Sequence, residues 1–175
     1  MNDRVILVNE HDEVLGEMEK EEAHKNGGNL HRASSVLLYR KKNGAVEVLL
    51  QKRAGTKKRW PGWWANTVCT DVRPGESYEQ CAVRRLQEEM GIVVKLGDLS
   101  LAFTQIYQAQ YDQEFWEHEV EAIFVGKWEG DVVPNADEVG EYTWVEWGTL
   151  QEWVRHRNDV SPWLVKMVKE WRYEW

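Results

Sequence analysis

The chain has 175 residues, a formal charge of -8 at pH 7 and no run of about 18 apolar residues. This length fits one domain with a single core, and we expect residues 1–175 to form it, because no repeat, low-complexity segment or linker divides them. The acidic charge argues against a nucleic-acid partner, and the lack of a long apolar run argues against membrane insertion.

The first third of the chain predicts short strands and one small helix. Two apolar segments, 5–9 and 13–18, flank a polar turn and predict a hairpin, and a short helix is expected over 19–24. Strands over 33–40 and 46–53 flank a Lys-Lys-Asn-Gly turn, which is typical of a β-hairpin. A loop rich in Gly and Trp follows the second of these strands.

The clearest helix is predicted over residues 78–90. Ser77 is a good N-cap, Gln80 completes a capping box, and Gly91 supplies a C-terminal stop. An apolar stripe at spacings of three and four consists of Val83, Leu86 and Met90.

The rest of the chain alternates between predicted strands and helices. The strands are expected over 92–96, 100–110, 117–128 and 141–147, and the helices over 150–156 and 162–171. Strands dominate the first two-thirds and helices flank them, so the pattern predicts a mixed α/β sandwich.

The segment from Gly75 to Ile92 resembles the Nudix box, G-x5-E-x7-R-E-U-x-E-E-x-G-U, where U is apolar. In that motif a loop and a helix present carboxylates to a divalent cation that neutralises a diphosphate. Seven positions match, namely Glu76, Arg84, Leu86, Glu88, Glu89, Gly91 and Ile92. Thr70 stands in place of the first Gly and Arg85 in place of the Glu after the Arg. An ordinary amphipathic helix would explain a Glu-Glu pair alone, but the matches in register favour the resemblance.

Further motifs resemble the type 1 isopentenyl-diphosphate Δ-isomerases, which are Nudix-fold proteins that move a double bond. These motifs span nearly the whole chain: MEK with His24, LHRA with His31, KR-x-x-x-K, WPGWWANTVC, the box, a Tyr ten residues before EHEV, and SPW. The resemblance implies a Nudix-type α/β/α sandwich with a mixed central sheet. It also implies isomerisation of isopentenyl diphosphate to dimethylallyl diphosphate through a carbocation, in isoprenoid biosynthesis.

The resemblance implies two cation sites. His24, His31, Glu117 and Glu119 correspond to ligands of one ion, which would be Mn²⁺ or Zn²⁺, and Glu89 would help to bind a second ion, Mg²⁺. Glu117 and Glu119 are two residues apart in a predicted strand, so both side chains leave the same face.

Asp71 is the position where the chain departs from these ligands. In the family the cysteine is usually followed by Gly-His or Ser-His, and that histidine binds the metal, whereas Cys69 is followed by Thr70 and Asp71. Either Asp71 replaces the histidine, or it is too short to reach the metal and the site is weakened. We favour the first alternative, because the other ligand positions are retained. Such a carboxylate-rich site should favour Mn²⁺ or Mg²⁺.

The implied reaction adds a proton to one alkene carbon and removes another proton from the far side. The resemblance assigns these steps to Cys69 and Glu119, with Tyr107 hydrogen-bonded near the carboxylate. It places Trp163 over the carbocation, although core packing would explain most of the 11 tryptophans. The diphosphate contacts carry over to Lys20, Arg53, Lys57 and Arg85.

Two other functions compete with the isomerase. One is a Nudix pyrophosphohydrolase acting on a nucleotide or other diphosphate, against which Arg85 argues, because the Glu it replaces helps to hold the hydrolytic metals. The other is a catalytically weakened homologue that only binds diphosphates. We expect a monomer with a small-molecule diphosphate as its partner. The first residues lack a secretory signal, so we also expect a cytoplasmic protein in which Cys69 and Cys81 are free thiols and Cys81 is buried.

Overall fold

Strand β3 organises a nine-stranded mixed sheet in the computed structural model, which describes residues 3–171 and 173–175. The strands are β1 (Arg4–Val8), β2 (Val14–Glu19), β3 (His31–Lys42), β4 (Ala45–Arg53), β5 (Trp64–Ala65), β6 (Val68–Asp71), β7 (Ser100–Gln110), β8 (Trp116–Lys127) and β9 (Val139–Glu146). The helices are α1 (Lys20–Ala23), α2 (Tyr78–Met90), α3 (Trp147–Arg155) and α4 (Pro162–Lys169).

Most strand pairs are antiparallel, but β3 and β8 run parallel to each other. Along its other edge β3 contacts β1, then β6, and finally β4. Strand β4 then pairs with β5 and β9, while β7 pairs with β8. Residues on β6, β3, β8 and β7 therefore lie side by side.

The two faces of the sheet pack against different helices. On one face Val36 and Leu38 of β3 join a cluster with Leu86 and Met90 of α2. On the other face Leu37 belongs to a cluster with residues from α3 and α4, including Leu150, Val154, Leu164 and Met167. Because alternate residues of a strand point to opposite faces, β3 is buried on both sides. The α/β/α sandwich with a mixed sheet is therefore confirmed.

Helix α2 begins and ends as the local signals predict. Ser77 and Gln80 form the capping box, and Gly91 adopts a left-handed conformation at the C-cap, with φ of 66°. The apolar stripe is confirmed, because Leu86 and Met90 have no exposed surface and the half-buried Val83 packs against the same cluster. Both cysteines are free and Cys81 is buried, as expected.

The strand predicted over 92–96 is wrong, because this segment has no strand conformation. The backbone N–H of Ile92 turns back to the carbonyl of Leu86, and Lys95 and Asp98 close a turn. Ile92 is buried while Val93 is 66% exposed. The apolar residues of this segment therefore belong to a loop that is fixed to the core by the buried side chain of Ile92.

The short strands β5 and β6 differ from the sequence-based expectation, because β5 lies within the loop that the sequence predicts and β6 directly follows that loop. The other strands and helices lie where the patterns placed them, with ends that differ by a few residues. No helix within the described residues has the length and apolar character needed to cross a membrane.

Gly91 is expected to tolerate no side chain. A Cβ there would lie 2.4 Å from the carbonyl oxygen of Val133, which docks on the end of α2, and the residue has positive φ. We predict that Gly91→Ala lowers the free energy of unfolding by about 2–4 kcal/mol, from backbone strain and steric overlap together. Gly97 also has positive φ but nothing within 4 Å of its Cβ position, so Gly97→Ala should cost about 1–2 kcal/mol. Denaturant unfolding measures both variants, and equal losses would contradict this account.

Candidate active site

The register of four neighbouring strands brings polar side chains to one face of the sheet. His31 on β3 lies opposite Glu119 on β8, which in turn lies opposite Tyr107 on β7. Ala33 lies between Asp71 on β6 and Glu121 on β8. Because residues paired across strands share a face, these rows converge on one region.

Five of the predicted metal ligands form one cluster, which we call the cation cluster. Its members each offer a ligand atom within 4.8 Å of the others, and they are His24, His31, Asp71, Glu117 and Glu119. Asp71 Oδ1 lies 3.0 Å from His31 Nε2 and 3.8 Å from His24 Nε2. The Asp71 carboxylate therefore lies close to both histidines.

Both histidines of the cation cluster are oriented by backbone carbonyls. His24 Nδ1 lies 2.6 Å from the carbonyl oxygen of Lys20, and His31 Nδ1 lies 2.7 Å from that of Asn29. A carbonyl oxygen only accepts hydrogen bonds, so each Nδ1 carries a proton. The Nε2 atoms then face the carboxylates, which is the arrangement that suits metal binding.

The pKa values of the carboxylates in the cation cluster shift in opposite directions. Burial opposes ionisation of Asp71, but the charge of Lys20, the hydrogen bond from His31 and the charges of both histidines together outweigh it, so the pKa of Asp71 lies well below 3.8. Burial, and then the neighbouring charges of Glu117 and Asp71, raises the pKa of Glu119 well above its ordinary value of 4.5. The buried Oε2 of Glu119 has no hydrogen-bond partner among the described residues. A divalent cation would neutralise this group of carboxylates, so the residues fit a metal site.

A pocket of roughly 420 Å³ opens beside the cation cluster. It is lined by all the predicted catalytic and diphosphate-binding residues, namely Cys69, Tyr107, Glu119, Trp163, Lys20, Arg53, Lys57 and Arg85. Nine Lys and Arg residues line it against six Asp and Glu residues, although the whole chain carries a charge of -8. The excess of cations concentrates positive potential where an anionic ligand would enter.

The four predicted diphosphate contacts already have partners within the chain. Lys20 Nζ lies 2.5 Å from Asp71, and Lys57 and Arg85 share one carboxylate oxygen of Glu138. Arg53 donates to the backbone carbonyl oxygens of Arg59 and Trp60, and its guanidinium lies 5.5 Å from the ring centre of Trp163. A bound diphosphate would replace the carboxylates of Asp71 and Glu138 as the partner of these charged nitrogen atoms.

Glu89 does not belong to the cation cluster. It is 4% exposed, and its two oxygens accept hydrogen bonds from Arg85 and from Gln51. The other carboxylates of the box-like segment also contact its arginines, because Arg84 binds Glu76 and Glu88. A second cation at Glu89 would have to compete with Arg85.

Cys69 and Glu119 both line the pocket, and their sulfur and carboxyl oxygen are among the ligand atoms that lie within 4.8 Å of each other. Burial, and then the carboxyl of Glu119, raises the pKa of the Cys69 thiol well above 9.0, so this thiol carries a proton. Tyr107 is buried next to Glu119, and its hydrogen bond partly opposes the rise in the Glu119 pKa. Trp163 is 3% exposed and meets Trp60 edge-on.

Comparisons with known proteins show the family to which the chain belongs. Residues 29–164 match the NUDIX domain. The chain is 40% identical over 165 residues to isopentenyl-diphosphate Delta-isomerase 1 of Aromatoleum aromaticum, with 94% of this chain and 89% of the relative covered. It is 41% identical over 145 residues to the isopentenyl-diphosphate Delta-isomerase of Photobacterium profundum, with 82% and 79% covered. The chain belongs to the isopentenyl-diphosphate Delta-isomerase family of the Nudix superfamily.

A solved structure supports the fold assignment independently. A protein from Deinococcus radiodurans superposes with a TM-score of 0.73 at 18% identity, covering 98% of this chain and all of that one. At this level of identity the likeness concerns the fold alone. The family membership rests on the sequence relatives.

Glu121 lies beside Cys69 in the site, and the sequence analysis did not identify it. It has no exposed surface, it accepts hydrogen bonds from Ser35 and Gln105, and its Oε1 lies 3.5 Å from Cys69 Sγ. Burial raises its pKa, against the hydrogen bond from Ser35. The signal was present, because Glu117, Glu119 and Glu121 alternate along β8 on one face.

The raised pKa of Glu119 predicts a stability cost in the metal-free protein. The folded protein binds a proton at Glu119 more tightly than the unfolded chain, so the contribution of this group to stability falls as the pH rises above 4.5. We predict that Glu119→Gln raises the free energy of unfolding at pH 8 by about 1–4 kcal/mol without metal, because the cost of keeping this buried carboxyl protonated, or of burying its charge, is removed. The gain should shrink towards pH 5.

Urea unfolding in the presence of a chelator measures this effect, and Glu129→Gln provides a control, because Glu129 lies on the surface with its side chain 60% exposed. Adding Mn²⁺ should stabilise the wild-type protein more than Glu119→Gln, since the ion binds the folded state. A metal-free Glu119→Gln variant that is no more stable than wild type at pH 8 would contradict the interpretation.

Proposed function

We propose that this chain isomerises isopentenyl diphosphate to dimethylallyl diphosphate by proton transfer at two carbons. The observation that carries the proposal is the meeting of a proton-bearing thiol, Cys69, with the carboxyl of Glu119 in a pocket lined by cations. The relatives named above carry this activity in their names. A hydrolase would have no evident use for a thiol at this position.

In the proposed reaction one group gives a proton to the terminal alkene carbon, and the C=C electron pair forms the new C–H bond. The resulting tertiary carbocation loses a proton from the neighbouring CH₂ to the other group, and that C–H electron pair forms the new double bond. Cys69 and Glu119 exchange roles when the reaction runs backwards, as microscopic reversibility requires. After one turnover the group that donated a proton lacks it, and the group that accepted a proton carries an extra one. A proton must therefore pass between them, through solvent or within the protein, before the next turnover.

Aromatic and cationic side chains would hold the substrate for these transfers. Trp163 offers an indole near the proposed carbocation, where an aromatic face attracts a cation by about 2 kcal/mol when water is excluded. Lys20, Arg53, Lys57 and Arg85 would bind the diphosphate, and arginine suits this role because its planar donors match phosphate oxygens. Tyr107 would orient the carboxyl of Glu119.

The proposal includes a divalent cation, Mg²⁺ or Mn²⁺ (or Zn²⁺), held by the cation cluster, with Asp71 as a ligand. When bound, it would neutralise the carboxylates and so lower the cost of ionising Glu119. The carboxylate-rich set favours Mn²⁺ or Mg²⁺ over Zn²⁺. Glu89 would help to hold a second Mg²⁺, which would neutralise the diphosphate, and this ion would compete with Arg85 for the Glu89 carboxylate.

We further propose that residues 1–175 act as one Nudix domain and as a cytoplasmic monomer. The proposed partner is the small-molecule diphosphate.

Product analysis tests the proposed function. Incubation with isopentenyl diphosphate and Mg²⁺ plus Mn²⁺ should yield dimethylallyl diphosphate without release of phosphate. We predict that Cys69→Ala lowers kcat by about 10²–10⁴-fold, the usual contribution of a general acid or base, with little change in KM. Cys81→Ala is the matched control, because this buried thiol lies on α2 outside the pocket, and it should keep the wild-type kcat.

Two results would contradict the proposal. Release of phosphate or a monophosphate without dimethylallyl diphosphate would identify a pyrophosphohydrolase. Full isomerase activity in Cys69→Ala would remove the thiol from the mechanism.

A further inference from the structure

The two carboxylate oxygens of Asp71 have different partners, a histidine of the cation cluster and a lysine that lines the pocket. Its Oδ1 lies 3.0 Å from His31 Nε2, and its Oδ2 lies 2.5 Å from the ammonium of Lys20. The carboxylate is only 8% exposed, so water and salt screen this contact with Lys20 less than a surface ion pair. One side chain therefore joins the two parts of the site.

Lys20 contacts the cation cluster through both its backbone and its side chain. Its carbonyl oxygen holds Nδ1 of His24 at 2.6 Å, and its side chain holds Asp71. Asp71 is the only salt-bridge partner of Lys20 among the described residues. The Lys20 ammonium, which is proposed to bind diphosphate, is therefore paired with Asp71, which is proposed to bind the metal.

We propose that the Lys20–Asp71 pair couples cation binding to diphosphate binding. Without a cation, Lys20 holds Asp71. A divalent cation that takes the carboxylate weakens this contact and releases the ammonium to the diphosphate. The inference rests on the proposed function, since it needs both the metal site and the diphosphate pocket.

The coupling follows from competition for one carboxylate. An ammonium and a divalent cation both need the charge of Asp71, and each repels the other. Linkage requires that the metal and the diphosphate strengthen each other's binding by the same factor. A histidine at position 71 would give no such coupling, because a neutral imidazole does not attract an ammonium ion.

Direct attraction between a metal ion and a diphosphate would also link their binding. This contribution does not depend on Lys20, so a double-mutant cycle separates it from the proposed coupling. The chain offers a matched control carboxylate, because Glu21 lines the same pocket but contacts Lys58 and Arg59 instead of Lys20.

The first test measures binding of inorganic pyrophosphate to the metal-free protein by calorimetry. Asp71→Asn should tighten binding at least about fivefold, the lower end of coupling between sites, because Lys20 becomes free. In the presence of Lys20→Met the same Asp71→Asn change should have less than half of that effect on the binding free energy. Glu21→Gln should change the affinity by the same factor with and without Lys20→Met.

The second test measures Mn²⁺ affinity by electron paramagnetic resonance of the free ion, without diphosphate. Lys20→Met should tighten Mn²⁺ binding at least about fivefold, because the competitor for Asp71 is gone. The effect should largely vanish in the presence of Asp71→Asn. Lys58→Met is the control for a lost pocket cation, since Lys58 pairs with Glu21, and its smaller effect should not depend on Asp71.

Additive effects of Lys20 and Asp71 on both ligands would overturn the coupling. Unchanged Mn²⁺ affinity in Lys20→Met would overturn it even if Asp71→Asn does not fold. Failure of the wild-type protein to bind pyrophosphate would contradict the diphosphate pocket, and with it the coupling. Dimethylallyl diphosphate production by the wild type together with additive cycles would contradict the coupling alone.

Discussion

The parallel pairing of β3 with β8 is the constraint on which the site depends. It sets His31 opposite Glu119, and the neighbouring strands β6 and β7 then bring Asp71 and Tyr107 to the same face. A slip of one residue along β8 would turn its carboxylates to the other face, where α2 packs. The sheet register therefore builds the cation cluster and the proton-transferring pair together.

Charge concentrates at this face at a cost to stability. Three carboxylates of the cation cluster are buried or nearly so, and Glu121 lies behind Cys69 with no exposed surface. Burial of the apolar clusters on both sides of the sheet offsets the free-energy cost of burying these carboxyl groups. The pocket is lined by more Lys and Arg than Asp and Glu residues, so a diphosphate would meet positive charge there, while a divalent metal would meet the carboxylates of the cation cluster. Lys20 and Asp71 lie where these two regions touch.

Local signals predicted the parts of the molecule that local physics determines. The capping box and Gly91 define α2, and the alternation of Glu117 and Glu119 placed both on one face. The strand over 92–96 was wrong, because apolar residues alone do not distinguish a strand from a loop with one buried anchor. The alternation of Glu117, Glu119 and Glu121 already places Glu121 on the same face, but its contacts with Ser35 and Gln105 require the fold. Contacts between distant elements, such as that of Lys20 with Asp71, require the fold.

Anomalous diffraction from a crystal grown with Mn²⁺ tests the central claim most directly, namely that the sheet register creates one metal site from two histidines and three carboxylates. The account predicts a single strong peak bound by Nε2 of both histidines and by carboxylate oxygens that include Asp71. A peak at Glu88 and Glu89 with none within the cation cluster would contradict it.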